Sequence, residues 1–283
     1  MAWFSAAGAW LDIEQVEANI CYKAAKQFWL HAVGAEGMAV GPVQRLLIRI
    51  QKRIPMEAGL GGGSADAAAL LDILWQVYGK PFPYAELETV ASETGADVPF
   101  CLKGGTRHCS GIGEKMTALP SLPTWELLVI KPDQGSKTAD AFSRYDRMQE
   151  QEATAKRLKV VHDAAAFRTK LAEIAFNAKV SARAADDAID LSPLQELGGN
   201  VFEPLITDDL PQIRKLLDGL KEMYPEALTS LSGSGTACYV LFGARESVIE
   251  IKPLHRFLDT ILGEGKYKIY RTRLRKGRFG AEI

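Results

Sequence analysis

The chain has 283 residues, with 34 Lys+Arg against 35 Asp+Glu for a formal charge of -1, and is 47% hydrophobic and 24% charged. That length predicts about two domains, and the composition excludes a disordered chain. The charge balance argues against a coat for nucleic acid or for an anionic membrane, and no apolar run nears the ~20 residues of a bilayer span.

Met1–Trp10 carries no positive charge, so the basic leader of a secretion signal is not expected. Cys21, Cys101, Cys109 and Cys238 show no Cys-x-x-Cys spacing. This predicts neither a zinc knuckle nor a disulfide framework, and points to a reducing cytoplasm.

In chain order, Trp3, Phe4 and Trp10 sit in a small-residue stretch without a period. Asn19 is placed to cap a helix through Ile20, Ala24, Ala25 and Phe28. Leu46 to Lys52 alternates in part, Ile48 and Ile50 against Arg49 and Gln51, and reads as a half-buried strand. Ala67, Leu70, Leu71, Leu74 and Val77 then fall at helical spacing, stopped by Gly79 and Pro81. Tyr84 to Glu93 predicts another helix closed by Gly95, and Phe100–Leu102 and Leu127–Ile130 are apolar runs of strand length. After Pro132 the composition shifts. Ala141 to Ala188 is helical in propensity, Leu210 to Met223 is amphipathic, and Ala237–Phe242 reads as a buried strand. A boundary near Gly135 divides the chain into domains 1–135 and 136–283, the second a small α+β unit.

The most informative stretch runs from Ile54 to Ala69 and joins a strand to a helix. Gly59, Gly61, Gly62 and Gly63 remove Cβ atoms that would hold a ligand off the main chain. Successive N–H groups in such a turn make an anion nest, and a helix opening at about Ser64 adds its free N–H groups and dipole. Phosphate is the natural guest, with the Ser64 hydroxyl available to a phosphate oxygen or a bridging metal. A Walker loop is excluded because no lysine precedes Ser64, and the dinucleotide fingerprint matches imperfectly. The duller alternative is a glycine-rich surface turn, against which the strand–loop–helix context speaks. A second glycine turn, Leu231 to Thr236, is of interest as a further wall around the same phosphate. Asp97, in Gly95-Ala96-Asp97-Val98-Pro99, is either a turn or cap aspartate or a general base beside an acceptor hydroxyl.

Together, Asn19–Ala25, Pro55–Ala69, Gly95–Phe100, Gly111–Glu114, Thr138–Phe142, Gly199–Pro204 and Leu231–Gly235 resemble the GHMP kinases. Within that superfamily the likeness is nearest the kinases of the non-mevalonate isoprenoid route. The small-molecule acceptor of those kinases is a cytidine diphosphate-linked methylerythritol, phosphorylated on its 2-hydroxyl. The resemblance implies an α+β fold of two halves, the first ribosomal S5 domain 2-like and incomplete, the second ferredoxin-like. It also implies ATP and Mg²⁺. Pro55, Gly59, Leu60, Gly61, Gly62, Gly63 and Ser64 would cradle the ATP phosphates, with Ser64 on the metal. Asp97 would be catalytic and touch the acceptor, and Asn19 and Lys52 would approach the adenine. Phe142 would pack on the cytosine, while Gly233 and Gly235 would line the site from the second domain. Each of three has a plainer reading: Asn19 as a helix cap, Lys52 as a solvated charge and Phe142 as core filling.

The likeness departs at the start. The family's Pro-Ala-Lys-Ile/Leu-Asn-Leu strand and Asp-Gly-Tyr-His turn do not occur. Their absence predicts no lysine partner for Asp97, no Tyr-His pair for cytosine and an uncovered sheet edge. An inactive nucleotide-binding relative, a GHMP kinase for another small molecule and a non-catalytic module are therefore the alternatives. His31, His108, His162 and His255 are scattered, which predicts no histidine metal site, and Asp186-Asp187 reads as surface charge. Gly233-Ser234-Gly235 lacks the nucleophile-elbow spacing. Arg271, Arg273, Arg275, Lys276 and Arg278 read as a solvated basic tail. No nucleic acid and no membrane partner is expected, and a homodimer is left open.

Overall fold

Asn19 sets where the first helix begins. Its Oδ1 accepts a hydrogen bond from Cys21 N at 2.8 Å, which satisfies one of the donors that a helix start leaves without a partner. The structure, a computed structural model, describes residues 2–4, 10–12, 16–34, 46–136, 138–149, 164–180, 188–244, 247 and 249–274. They divide into two units: one of the residues up to Ile54 with Gly61–Ala118, the other of Pro55–Leu60 with the residues from Leu119 on.

In the first unit β1 (Ala2–Phe4), β2 (Trp10–Asp12) and β3 (Arg49–Gln51) form a sheet in the order β2-β1-β3. β1 runs antiparallel to β2 and parallel to β3, with Trp3 opposite Ile50. The stretch that shows no period in sequence therefore supplies two strands, and β3 pairs with β1 on one side and stands at an edge of this sheet among the described residues. Strands of three residues are too short to show alternation, and their pairing is set by partners distant in the chain. The helices are α1 (Ile20–Gly34), α2 (Gly62–Val77), α3 (Tyr84–Thr94) and α4 (Val98–Lys103). α4 overturns the strand expected at Phe100–Leu102. A three-residue apolar run carries no period, whereas Pro99 in the first turn and Gly104 at the end are helix punctuation. A hairpin of β4 (Arg107–Ser110) and β5 (Lys115–Ala118) follows. Phe28, Leu71 and Leu87 are fully buried at the centre, with Ala24, Ala67, Val90 and Val98 around them. Burial of each of the large side chains stabilises the unit by about 1.5–3 kcal/mol.

The second unit contains β6 (Glu126–Pro132), α5 (Thr138–Gln149), α6 (Ala164–Val180), α7 (Ser192–Leu197), α8 (Glu203–Asp209) and α9 (Pro211–Met223). It continues with β7 (Leu228–Leu231), β8 (Cys238–Leu241), α10 (Ile251–Leu262) and β9 (Tyr267–Arg273). The sheet order is β7-β8-β6-β9, and every pairing is antiparallel. A first strand flanked by the third and fourth, with helices in the crossovers, is the β-α-β-β-α-β arrangement of ferredoxin-like folds. Alternation along the strands divides the sheet's two faces. Leu128, Ile130, Leu231, Cys238 and Val240 pack with Ile213, Leu216, Leu217 and Leu220 of α9 and with Leu254 and Leu258 of α10. On the opposite face Leu228 and Leu241 pack with Leu171, Ile174, Leu191 and Leu194.

Arg271 and Arg273 belong to β9, and Arg271 pairs with the buried Glu126, so the basic end begins as sheet rather than as a solvated tail. His162, Asp186, Asp187, Arg275, Lys276 and Arg278 lie outside the described residues.

Candidate functional site

α2 begins two residues earlier than expected. Gly61 is its N-cap, in the left-handed conformation at φ 63° and ψ 18°, with no side chain capping the helix. The N–H groups of Gly62, Gly63 and Ser64 thus have no partner inside the helix and mark its positive end. A Cβ on Gly61 would meet nothing within 4 Å among the described residues, so the space beside Gly61 itself is open. Gly62 is small for a different reason. Its Cβ would lie 3.0 Å from Ile54 Cγ2 and 3.5 Å from Lys52 Nζ.

Lys52 is buried and forms an ion pair with Asp66 of α2, so it is not the solvated charge its place at a strand end suggests. Burial, reinforced by Asp66 and opposed by Lys52, pushes the Cys21 thiol up to about 12. Asn19, buried two residues before Cys21, keeps its side chain on the helix cap. Lys52, Asp66 and Cys21 therefore share one neighbourhood at the heads of α1 and α2.

Asp97 immediately precedes α4. Its carbonyl accepts from Cys101 N at 3.1 Å, but its exposed carboxylate makes no capping bond. The plain cap reading therefore does not hold for the side chain. Burial lifts the Cys101 thiol to about 11, and Asp97 and Asp66 both add to that shift. Both carboxylates thus act on the one thiol. Gly113 packs closely on the same loop, since a Cβ there would lie 3.1 Å from Ala96 O.

In the second unit, Gly59 lies against the Leu231–Thr236 turn, which is the hairpin between β7 and β8. Ser232 Oγ donates to Gly59 O at 2.9 Å, and Ala237 N donates to Ala58 O at 3.2 Å. A Cβ on Gly59 (φ +68°) would fall 1.9 Å from Ser232 O, and one on Gly233 (φ +49°) 2.7 Å from Gly59 O. Two backbones touch at Gly59, which by itself requires a glycine there. Gly235 also has a positive φ, 78°, Leu60 packs on Ala58, Val129 and Ala237, and Pro55 is half-buried. Phe142 on α5 is half exposed and meets Phe202 edge-on at 4.9 Å, which rules out simple core filling. Asp66, Asn200 and Phe202 were not singled out as site residues from sequence. Asp66 hides in an alanine-rich helix, while Asn200 and Phe202 stand in the Gly-Asn-Val-Phe-Glu-Pro run.

Residues 19–105 match the family described as GHMP kinases N terminal domain. A 4-diphosphocytidyl-2-C-methyl-D-erythritol kinase of Desulfitobacterium hafniense is 36% identical over 238 residues, covering 84% of this chain and 71% of that protein. The enzyme of that name from Granulibacter bethesdensis is 33% identical over 237 residues, 84% of this chain and 70% of its own. The chain belongs to the 4-diphosphocytidyl-2-C-methyl-D-erythritol kinase family of GHMP kinases. Among solved structures, a 4-(cytidine 5'-diphospho)-2C-methyl-D-erythritol kinase aligns over 96% of this chain and 81% of that one, with TM-score 0.58 and 22% identity. Methanococcus jannaschii mevalonate kinase aligns over 97% and 84%, with TM-score 0.57 and 13% identity. These likenesses show the α+β GHMP kinase fold. No helix among the described residues is long and apolar enough to cross a membrane.

Proposed function

We propose that this member of the family transfers the γ-phosphoryl group of ATP to the 2-hydroxyl of 4-diphosphocytidyl-2-C-methyl-D-erythritol, giving the 2-phosphate and ADP in non-mevalonate isoprenoid precursor synthesis. The observation that carries it is the glycine-rich start of α2, which no side chain caps and where Gly61 has open space beside it, in a chain of this family. Gly61 to Ser64 bind phosphate oxygens through backbone N–H groups, with Pro55, Gly59 and Leu60 in the same ATP-binding cradle and Gly233 and Gly235 as further contacts. Asn19 and Lys52 approach the adenine, and Phe142 stacks on the cytosine. Asp97 orients the acceptor hydroxyl and takes its proton as the bond to phosphorus forms and the bond to ADP breaks. The family's two domains then correspond to residues 1–135 and 136–283.

Mg²⁺ belongs to the same proposal. Among the described residues no group of three or more His, Cys, Asp or Glu side chains is arranged to hold a metal. The Ser64 hydroxyl, in the first turn of α2, would stand beside a magnesium ion that arrives with the ATP phosphates. When bound, the ion neutralises phosphate charge. A cytoplasmic location completes the proposal, and sedimentation of the purified chain decides whether it forms a homodimer.

Separate calorimetric titrations with ATP and with the acceptor, followed by an ADP-release assay, test the function. Both ligands should bind, and ADP should appear only when both are present. Binding of ATP alone, without acceptor binding or turnover, would make the chain an inactive relative.

A further inference from the structure

Asn200 lies between α7 and α8, and its side chain bonds three backbone groups. Nδ2 donates to Leu231 O at 2.9 Å and to Gly233 O at 2.8 Å, while Oδ1 accepts from Phe202 N at 2.8 Å. Only an NH₂ group can serve two carbonyls, so the contacts themselves fix the orientation of the amide. The two carbonyls belong to the β7–β8 turn, where Gly233 and Gly235 both have positive φ. The turn's own bonds are Ser232 N to Ala237 O at 2.8 Å and Gly235 N to Ser232 O at 2.9 Å. A glycine-rich turn has high conformational entropy, so a side chain reaching it from a separate segment restricts it strongly. The same turn grips Gly59 O through Ser232 Oγ at 2.9 Å.

We propose that Asn200 is a positioning residue for nucleotide binding. Its amide holds the β7–β8 turn, and through Ser232 it holds the Gly59 peptide where the phosphate loop begins. Ordering both before the nucleotide arrives removes a cost that binding would otherwise carry. The amide's oxygen acts separately, fixing Phe202 behind Phe142. This inference rests on the kinase function proposed above.

Asn200→Asp is nearly isosteric. It keeps the acceptor for Phe202 N, removes both donors and sets carboxylate oxygen against two carbonyls. Ser232→Ala removes only the bond to Gly59 and decides the matter if the first variant fails to fold. ATP affinity by calorimetry, the KM values for ATP and for the cytidine substrate, and the melting temperature are measured on each. The dissociation constant and KM for ATP should rise about tenfold or more in Asn200→Asp and about three- to fivefold in Ser232→Ala, with the acceptor KM within about twofold. Unchanged ATP affinity in both variants overturns the proposal. So does a parallel rise of both KM values that merely follows the loss of thermal stability. If the native chain binds ATP but transfers nothing, the acceptor assignment fails, and the ATP titrations still decide Asn200. If it binds no ATP, both fail.

Discussion

Asp97 keeps its carboxylate clear of the helix it precedes, which leaves the group available to a hydroxyl. Asp97→Asn keeps the size and loses the base, so turnover should fall about 10²- to 10⁴-fold in a steady-state assay while ATP affinity by calorimetry changes little. Full activity in that variant would remove Asp97 from the mechanism. Lys52 and Asp66 call for a different expectation, because the lysine is buried and the aspartate is 22% exposed. Asp66→Ala takes a carboxylate away from a buried ammonium and should cost about 3 kcal/mol in chemical denaturation. Lys52→Met, apolar and of similar length, should cost clearly less. The role of Lys52 was half legible in the sequence. Its place just before the glycine loop is visible there, whereas its burial depends on where α2 starts, and Gly61 moved that start upstream of Ser64.

At the scale of elements, the loop glycines separate into kinds that sequence cannot tell apart. Gly61→Ala has open space and only the left-handed backbone to bear, about 1–2 kcal/mol. Gly59→Ala adds a clash with Ser232 O and should lower the melting temperature well beyond that. Equal melting temperatures for the two variants would contradict the close approach of the turns. α1 and α3 are joined through His31, whose ring nitrogens lie 3.0 Å from Glu86 Oε1 and 3.1 Å from Glu93 Oε2. Burial alone would lower this histidine's pKa, but hydrogen bonds to the two glutamates outweigh it and raise it. A raised folded-state value means the contribution is full below the unfolded pKa of about 6.5 and fades as pH rises through the folded one. His31→Gln should therefore be less stable than the native chain at pH 6, by about 0.5 kcal/mol given the exposure of both glutamates, and nearly equal to it at high pH. Long periodic helices such as α2 and α9 were legible in the sequence. β1, β2 and α4 were not, because three to six residues carry no period and their form is decided by what they pack against.

For the whole molecule, the second unit's β-α-β-β-α-β order and the first unit's loop-to-helix entry are the two features that make this a GHMP kinase fold. The fold class followed from motifs whose glycines, prolines and acidic residues are local in sequence. The bonds from Asn200 to Leu231 O and Gly233 O were not legible there, because they join segments distant in the sequence. Transfer of phosphate from ATP to the cytidine diphosphate-linked methylerythritol, followed by ³¹P NMR on the purified chain, tests the central claim most directly. A new phosphomonoester signal growing in step with ADP, and absent without the acceptor, is the result predicted. ATP left intact, or hydrolysed at the same rate with and without the acceptor, would contradict it.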